Sequence, residues 1–322
     1  MPDNGPFFIA GTGRSGTTRL SQILGEHPEV YSVSWESRFL IDPGGFEDLA
    51  RVLTVDYTPL HSDDALRRLA YKLTRGLTGF NDNVLRGWGL AEEIGFDRYM
   101  KAVENLWQLL TWYEYDTAEP PLARRFTGWQ YSPAEERSRH NMIGRYFTDR
   151  AELISILRGF TEEIFGGVAS SVGKRTWCEK SPPGNLLSIP FLQELFPEAT
   201  TIVIMRHPAG VAASYLDQPW TPSDIDGVLC FLEPIYSRWL VQRPALLKSD
   251  LYLEVKAEEL ADDWPASRSR FFGSLGLCDA DTPSAFTPAA LDHRDDQLTD
   301  EQMSRVTARL GHVISAMGYE PL

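Results

Sequence analysis

The sequence predicts an α/β fold, a three-layer parallel sheet flanked by helices. Two observations carry that expectation. Strand-like apolar runs recur at Phe7–Ala10, Glu29–Ser34, Arg175–Cys178, Thr201–Met205 and Leu251–Val255, with helix-like segments between them. Such alternation implies parallel strands joined by helical crossovers. The first strand also runs straight into a glycine-rich loop and then a helical pattern, as in folds that hold a phosphate.

The first element, FFIAGTGRSGTTRLSQILGEHPEV, covers Phe7 to Val30. A buried strand at Phe7–Ala10 is followed by glycines at 11, 13 and 16, and the helical segment stops near His27-Pro28. A strand, such a loop and a helix N-terminus together aim backbone N–H groups and a partial positive charge at an anion. The loop departs from the triphosphate pattern G-x-x-x-x-G-K-[ST]. Gly11, Gly16 and Thr18 fit, but Thr17 stands at the lysine position and the cation lies earlier, at Arg14. Gly13, Arg14, Ser15, Gly16, Thr17 and Thr18 are therefore candidates for wrapping a 5′-phosphate; the plainer reading is a glycine turn before a helix.

The second run leads into SVSWESRF, and Glu36 falls on the sheet edge reached by the loop. A carboxylate there can act as a general base on an acceptor hydroxyl, or can simply pair with Arg38 at the surface.

From about residue 45 to 148 the alternation breaks. This stretch reads as a helical, aromatic insertion over the active-site edge of a single domain spanning residues 1–322. Phe96, Met100, Val103, Trp107 and Leu110 recur at helical spacing, as do Leu153, Ile156, Leu157, Phe160 and Ile164 just after it. Trp88, Trp107, Trp112 and Trp129 are expected mostly in the core, with one or two facing a flat or sugar-bearing molecule.

The third run enters WCEKSPPGN, where Lys180 should end a strand beside the loop; taken alone it could be a surface lysine at a turn. The fourth, TTIVIMRHPAGVAAS, puts Arg206 at a strand's carboxyl end and Ser214 about two turns into the next helix. Ligands of open α/β sheets bind at that edge, so Arg206 and Ser214 could clamp a second phosphate, or Arg206 could merely bridge a carboxylate. A triphosphatase would end such a strand in a metal-binding Asp. Thr299 and Gln302 predict a capping box opening a last helix to Met317.

The composition excludes several classes. The 322 residues carry a net charge of −14, which argues against general nucleic-acid binding and polyanionic acceptors. The three cysteines lack CxxC spacing and read as free thiols in a reducing compartment. His27, His61, His140, His207, His293 and His312 show no metal-ligand spacing, so no metal is expected, and any of them is an alternative base only if Glu36 points away. No apolar run reaches the roughly 18–20 residues of a membrane span, and no cationic lead precedes the first strand, so a cytoplasmic location is expected.

The four pieces together resemble the sulfotransferases that use 3′-phosphoadenosine-5′-phosphosulfate (PAPS). Gly11–Leu20 is similar to their 5′-phosphosulfate loop, and Arg206 with Ser214 to the Arg-x7-Ser element that holds the 3′-phosphate. The layout of Arg14–Thr18, His27-Pro28, Glu36-Ser37-Arg38 and Lys180-Ser181-Pro182 resembles the tyrosylprotein sulfotransferases and their bacterial relatives. The resemblance covers residues 5–40, 175–217 and more loosely 250–278, where the usual Tyr-Glu-Asp-Leu is Ala257-Glu258-Glu259-Leu260.

The resemblance implies a P-loop-like sheet, PAPS as co-substrate and 3′-phosphoadenosine-5′-phosphate (PAP) as product. It makes Glu36 the base, and Arg14 and Lys180 the stabilisers of the transferring group. The acceptor would be a small-molecule, glycosidic or lipid hydroxyl ahead of an amine. The rival expectations are a P-loop nucleotide kinase and a non-catalytic nucleotide-binding protein of the same fold.

Overall fold

A computed structural model describes residues 5–74, 90–118, 138–281 and 298–320. The chain divides into two compact units, residues 1–37 with 162–322, and residues 38–161. The strands are β1 (Phe7–Ala10), β2 (Val30–Ser32), β3 (Thr111–Ala118), β4 (Ser138–Gly144), β5 (Thr176–Lys180), β6 (Thr200–Met205) and β7 (Tyr252–Lys256).

The first unit holds a five-stranded sheet in the order β2-β5-β1-β6-β7. Every pairing in it is parallel, with Phe7 opposite Cys178 and Thr200, and Met205 opposite Lys256. The five runs expected as strands are these five, each within a residue or two of its predicted ends.

Alternation along β1 gives the layers, because successive side chains leave a strand on opposite faces. Phe7 and Ile9 pack with Leu20, Ile23 and Leu24 of helix Thr17–Glu26 and with Trp264, Phe271 and Phe272 of helix Trp264–Ser274. Ala10 joins the opposite face, where Val203 and Met205 meet the helices Pro208–Leu216, Ile225–Leu246 and Asp300–Ala316. Between helix and strand, Phe8 meets Trp177 edge-on at 5.6 Å and lies 5.8 Å from Phe196. The last helix opens on the expected capping box, with Thr299 accepting from the Gln302 N–H and the Gln302 side chain accepting from the Thr299 N–H.

The second unit has helices Phe46–Val52, Pro59–Thr74, Leu90–Ile94, Phe96–Leu110 and Arg150–Thr161. It also holds β3 and β4 as an antiparallel pair, where the sequence was read as helical. The aromatic and threonine residues of TWYEYDTA suit a half-exposed pleat. The pair is fastened by buried Asp63, which accepts the Met142 N–H at 2.8 Å and Arg67 Nε at 2.9 Å. The Gly144 N–H donates to Ser62 Oγ at 2.9 Å.

Helix Phe96–Leu110 is present, but its buried stripe is Tyr99, Ala102, Val103, Leu106 and Leu110, while Phe96 is exposed. Of the tryptophans expected in the core, Trp107 is half-buried and Trp112 is 76% exposed. Trp88 and Trp129 lie outside the described residues. Val103, Trp107, Trp112, Tyr113, Glu104 and Glu114 help line a cleft of about 620 Å³ in this unit. Among the described residues no helix is long and apolar enough to cross a membrane.

Candidate functional site

Because the sheet is parallel, the segments leaving β1, β2, β5 and β6 emerge at one edge. Ile9 of β1 stands in register with Lys180, the last residue of β5. The glycine loop, Glu36, Lys180 and Arg206 are thus placed by topology at the carboxyl ends of neighbouring strands.

The loop is tightly built. Gly13 has φ 79° and Gly16, which precedes helix Thr17–Glu26, has φ 103°; both are backbone conformations that glycine adopts without strain. A Cβ on Gly11 would come within 2.4 Å of Ser15 Oγ, and one on Gly13 within 2.6 Å of the Tyr215 hydroxyl oxygen. Arg14 itself sits at φ 53°, uncommon for a residue with a side chain and held only where neighbours enforce it.

Those neighbours come from the β6 crossover. Arg206, buried at the end of β6, donates from Nη1 to the Arg14 carbonyl at 3.1 Å. Tyr215 donates its hydroxyl to the Thr12 carbonyl at 2.7 Å. Arg14 Nε donates to Ser214 Oγ at 3.0 Å. Gly210 leaves the space for Arg206, since a Cβ there would stand 3.0 Å from Arg206 Nε. Arg206 and Ser214, paired in the sequence as one anchor, both contact Arg14 of the other, and Tyr215, which the sequence reading missed, completes the support.

The site fits an anion. Helix Thr17–Glu26 begins with no side-chain cap and no acid in its first turn, so its N-terminal charge is not neutralised locally. Ser15 Oγ, inside the glycine loop, is buried with no hydrogen-bond partner among the described residues. Such a group costs free energy unless something satisfies it. Thr17 is buried beside it and Thr18 is exposed.

Lys180 and Glu36 form the second cluster. Lys180 Nζ stands 3.4 Å from Glu36 Oε1, with the lysine side chain 12% and the glutamate side chain 27% exposed. The two clusters stand at the ends of adjacent strands, the pair at β2 and β5 and the loop at β1. Burial pushes the Tyr215 phenol up to about 12, Arg14 opposing and Glu36 adding to the rise.

Behind Lys180 lies a residue the sequence reading passed over. Glu179 is fully buried. Its Oε1 accepts the Ser37 N–H at 3.0 Å, the Ser37 hydroxyl at 2.9 Å and the Ser181 hydroxyl at 2.6 Å. Its Oε2 accepts Asn185 Nδ2 at 2.9 Å, and Asn185 Nδ2 also reaches the Ile9 carbonyl at 3.1 Å. Burial raises the Glu179 carboxyl, and the hydrogen bonds from Ser181, Asn185 and Ser37 oppose that rise. The available signal was an acid directly after Trp177 and Cys178 in a strand of the central sheet, TWCEK.

Glu258, noted in the sequence only as structural, accepts the His207 N–H at 2.8 Å and the Tyr319 hydroxyl at 2.8 Å. His207 accepts the Ala209 N–H at Nδ1 and packs edge-on against Tyr319, so it caps helix Pro208–Leu216. His27 is buried, with Nδ1 accepting the Glu29 N–H at 3.1 Å and Nε2 facing the Cys278 carbonyl at 2.9 Å. His27, Glu29 and Cys278 bring ligand-type atoms within 4.8 Å of one another. Yet the His27 ring is spent on backbone groups, and Glu29 is paired with Arg175 at 2.5 Å. His61 contacts the Asp56 carbonyl, His140 lies between Glu114 and Asp116, and His293 is outside the described residues.

A 74-residue stretch is 34% identical to nodulation protein NoeE of Sinorhizobium fredii, covering 23% of this chain and 17% of that protein's length. The sulfotransferase domain of the Synechococcus PCC 7002 olefin synthase is 19% identical, with 97% of this chain and 94% of that one covered and a TM-score of 0.46. Sulfotransferase STF9 of Mycobacterium avium is 14% identical, with 99% and 78% covered and a TM-score of 0.44. The family model described as the sulfotransferase family matches residues 6–281, which include the glycine loop, Glu36, Lys180, Arg206 and Ser214, and the chain belongs to that family.

Proposed function

We propose that this sulfotransferase takes its sulfuryl group from PAPS and passes it to a hydroxyl, ahead of an amine, of a small-molecule, glycosidic or lipid acceptor, releasing PAP. The observation that carries the reading is the convergence of Arg14, Ser214 and Arg206 on one loop beside the Lys180–Glu36 pair. Two anchors for anions suit a nucleotide with phosphates at both its 5′ and 3′ positions.

When bound, PAPS supplies an activated sulfuryl group, whose bond to the 5′-phosphate oxygen breaks as the bond to the acceptor oxygen forms. Glu36 takes the acceptor's hydroxyl proton. Arg14 and Lys180 hold the negative charge that builds on the leaving phosphate oxygen. Fixed contacts of this kind are commonly worth about 3–4 kcal/mol each, or roughly 100- to 1000-fold in rate. Ser15, Thr17, Thr18 and the N–H groups of Gly13 to Gly16 hold the 5′-phosphate, and Arg206 with Ser214 the 3′-phosphate. With Thr17 at its place, the loop lacks the lysine that reaches a γ-phosphate in the triphosphate pattern. The aromatic wall of the cleft in the second unit is of a kind that suits flat or sugar-bearing molecules.

Calorimetric titration with PAP, beside ADP, AMP and ATP with magnesium, tests the reading. Micromolar PAP binding, much weaker ADP binding and no magnesium requirement are expected. Tight magnesium-dependent ATP binding, indifferent to a 3′-phosphate, would replace this reading with the kinase.

A further inference from the structure

We infer that Glu179 is a positioning residue for catalysis, fixing Glu36 against Lys180 through Ser37 and Ser181; the inference rests on the roles proposed above for that pair. The segment carrying Glu36 leaves the sheet before it reaches that residue. β2 ends at Ser32, and its pairing with β5 runs only one bond further, from the Val33 N–H to the Cys178 carbonyl at 2.9 Å. Glu36 follows on irregular chain. The next residue, Ser37, is fully buried and gives both its N–H and its hydroxyl to Glu179 Oε1.

Lys180 is bracketed in the same way. Glu179 precedes it, and Ser181, which follows it, donates to the same oxygen at 2.6 Å. One carboxylate therefore ties the neighbour of the base to both neighbours of the lysine. Asn185 extends the tie from Glu179 Oε2 to the Ile9 carbonyl, one residue from the end of the strand that feeds the glycine loop.

A carboxylate is a costly way to join three segments if packing is the only need. Well-packed apolar residues of similar volume do as well or better for stability. Four directed hydrogen bonds give what apolar packing does not, a fixed distance and angle between the groups they connect. Misplacing a reacting group by about 1 Å can cost on the order of 100-fold in rate.

The test uses the full chain with PAPS, water serving as the acceptor, and follows PAP release. PAP affinity by calorimetry and thermal melting are measured beside it. Ser37→Ala removes one donor and keeps the Ser37 N–H. It should lower turnover about tenfold or more while PAP affinity stays within about twofold and melting barely moves. Glu179→Gln, which keeps an acceptor oxygen, should retain more turnover than Glu179→Met, which keeps only the volume. Added to Glu36→Gln, Ser37→Ala should subtract little more, because it acts through the residue already removed. In a crystal structure of Ser37→Ala, the Lys180–Glu36 separation should open beyond the ion-pair limit of about 4 Å.

Wild-type turnover in Ser37→Ala overturns the inference. So does a loss carried by PAP affinity or melting, a full further loss on the Glu36→Gln background, or an undisturbed ion pair in the variant's crystal structure. The functional reading fails by a different result, intact turnover in Glu36→Gln.

Discussion

Arg14 Nε and Ser214 Oγ meet at 3.0 Å, joining the glycine loop after the first strand to a helix 200 residues further along. By accepting from Arg14, the serine aims the guanidinium, and its own hydroxyl proton stays available to an anion. Ser214→Ala should weaken PAP binding about 10- to 100-fold, in line with roughly 1.5–3 kcal/mol for a hydrogen bond to a charged group. Arg14→Lys keeps the charge but not the planar fork, and should not restore wild-type turnover. Calorimetry and PAPS turnover check the two separately.

Arg206 supports the loop from beneath as well as facing the proposed 3′-phosphate. Arg206→Ala should weaken PAP more than ADP, and should harm binding more than the chemical step. Equal affinity of wild type and variant for PAP would remove Arg206 from the nucleotide site.

Gly13 makes a sharper test of loop geometry. Gly13→Ala would place a methyl 2.6 Å from the Tyr215 hydroxyl oxygen at φ 79°. The backbone strain alone is about 1–2 kcal/mol, so the variant should melt lower and lose PAP binding. Combining it with Tyr215→Phe removes the clashing oxygen and should recover part of that loss. A double variant no better than Gly13→Ala would mean that the clash is not what harms the loop.

The β3–β4 pair should respond to pH. The imidazole of His140 is raised above its usual range, first by the hydrogen bond to Asp116 and then by Glu114. A raised folded-state value means stabilisation that is complete below the unfolded value of about 6.5 and is lost as pH rises through the folded value. Melting of wild type minus His140→Gln should thus be largest near pH 5.5 and vanish at alkaline pH. It should also shrink with salt, since the group is exposed. A pH-independent difference would sink the assignment.

Much of this molecule is legible in its sequence because the informative residues are local. Strand ends, the glycine spacing and the Thr299 capping box depend on near neighbours, and each stands where the pattern puts it. What the sequence hid depends on distant partners. Glu179 looks like a polar slip in a buried strand until Ser37 and Asn185 arrive from two other segments. Tyr215 reads as one more apolar helix residue, although its hydroxyl closes on a carbonyl 203 positions away. The helix ending at Leu110 passes directly into β3, so one aromatic run serves two periodicities and the strand is masked by the helix before it.

The strand order β2-β5-β1-β6-β7 has a consequence for how the protein comes into being. Strand β1, which precedes the other four along the chain, occupies the centre of the sheet, and both of its partners lie more than 160 residues downstream. Until β5 and β6 have been made, the glycine loop has neither the strands that flank β1 nor the Arg206 and Tyr215 contacts that hold Arg14 in its unusual backbone conformation. Contacts this far apart in sequence close slowly and against a large entropy cost. A nascent chain cut short before Arg206 would therefore carry the whole loop sequence without the contacts that shape it. Under the function proposed above, binding of PAPS would single out finished molecules and, by mass action, hold them in the folded state.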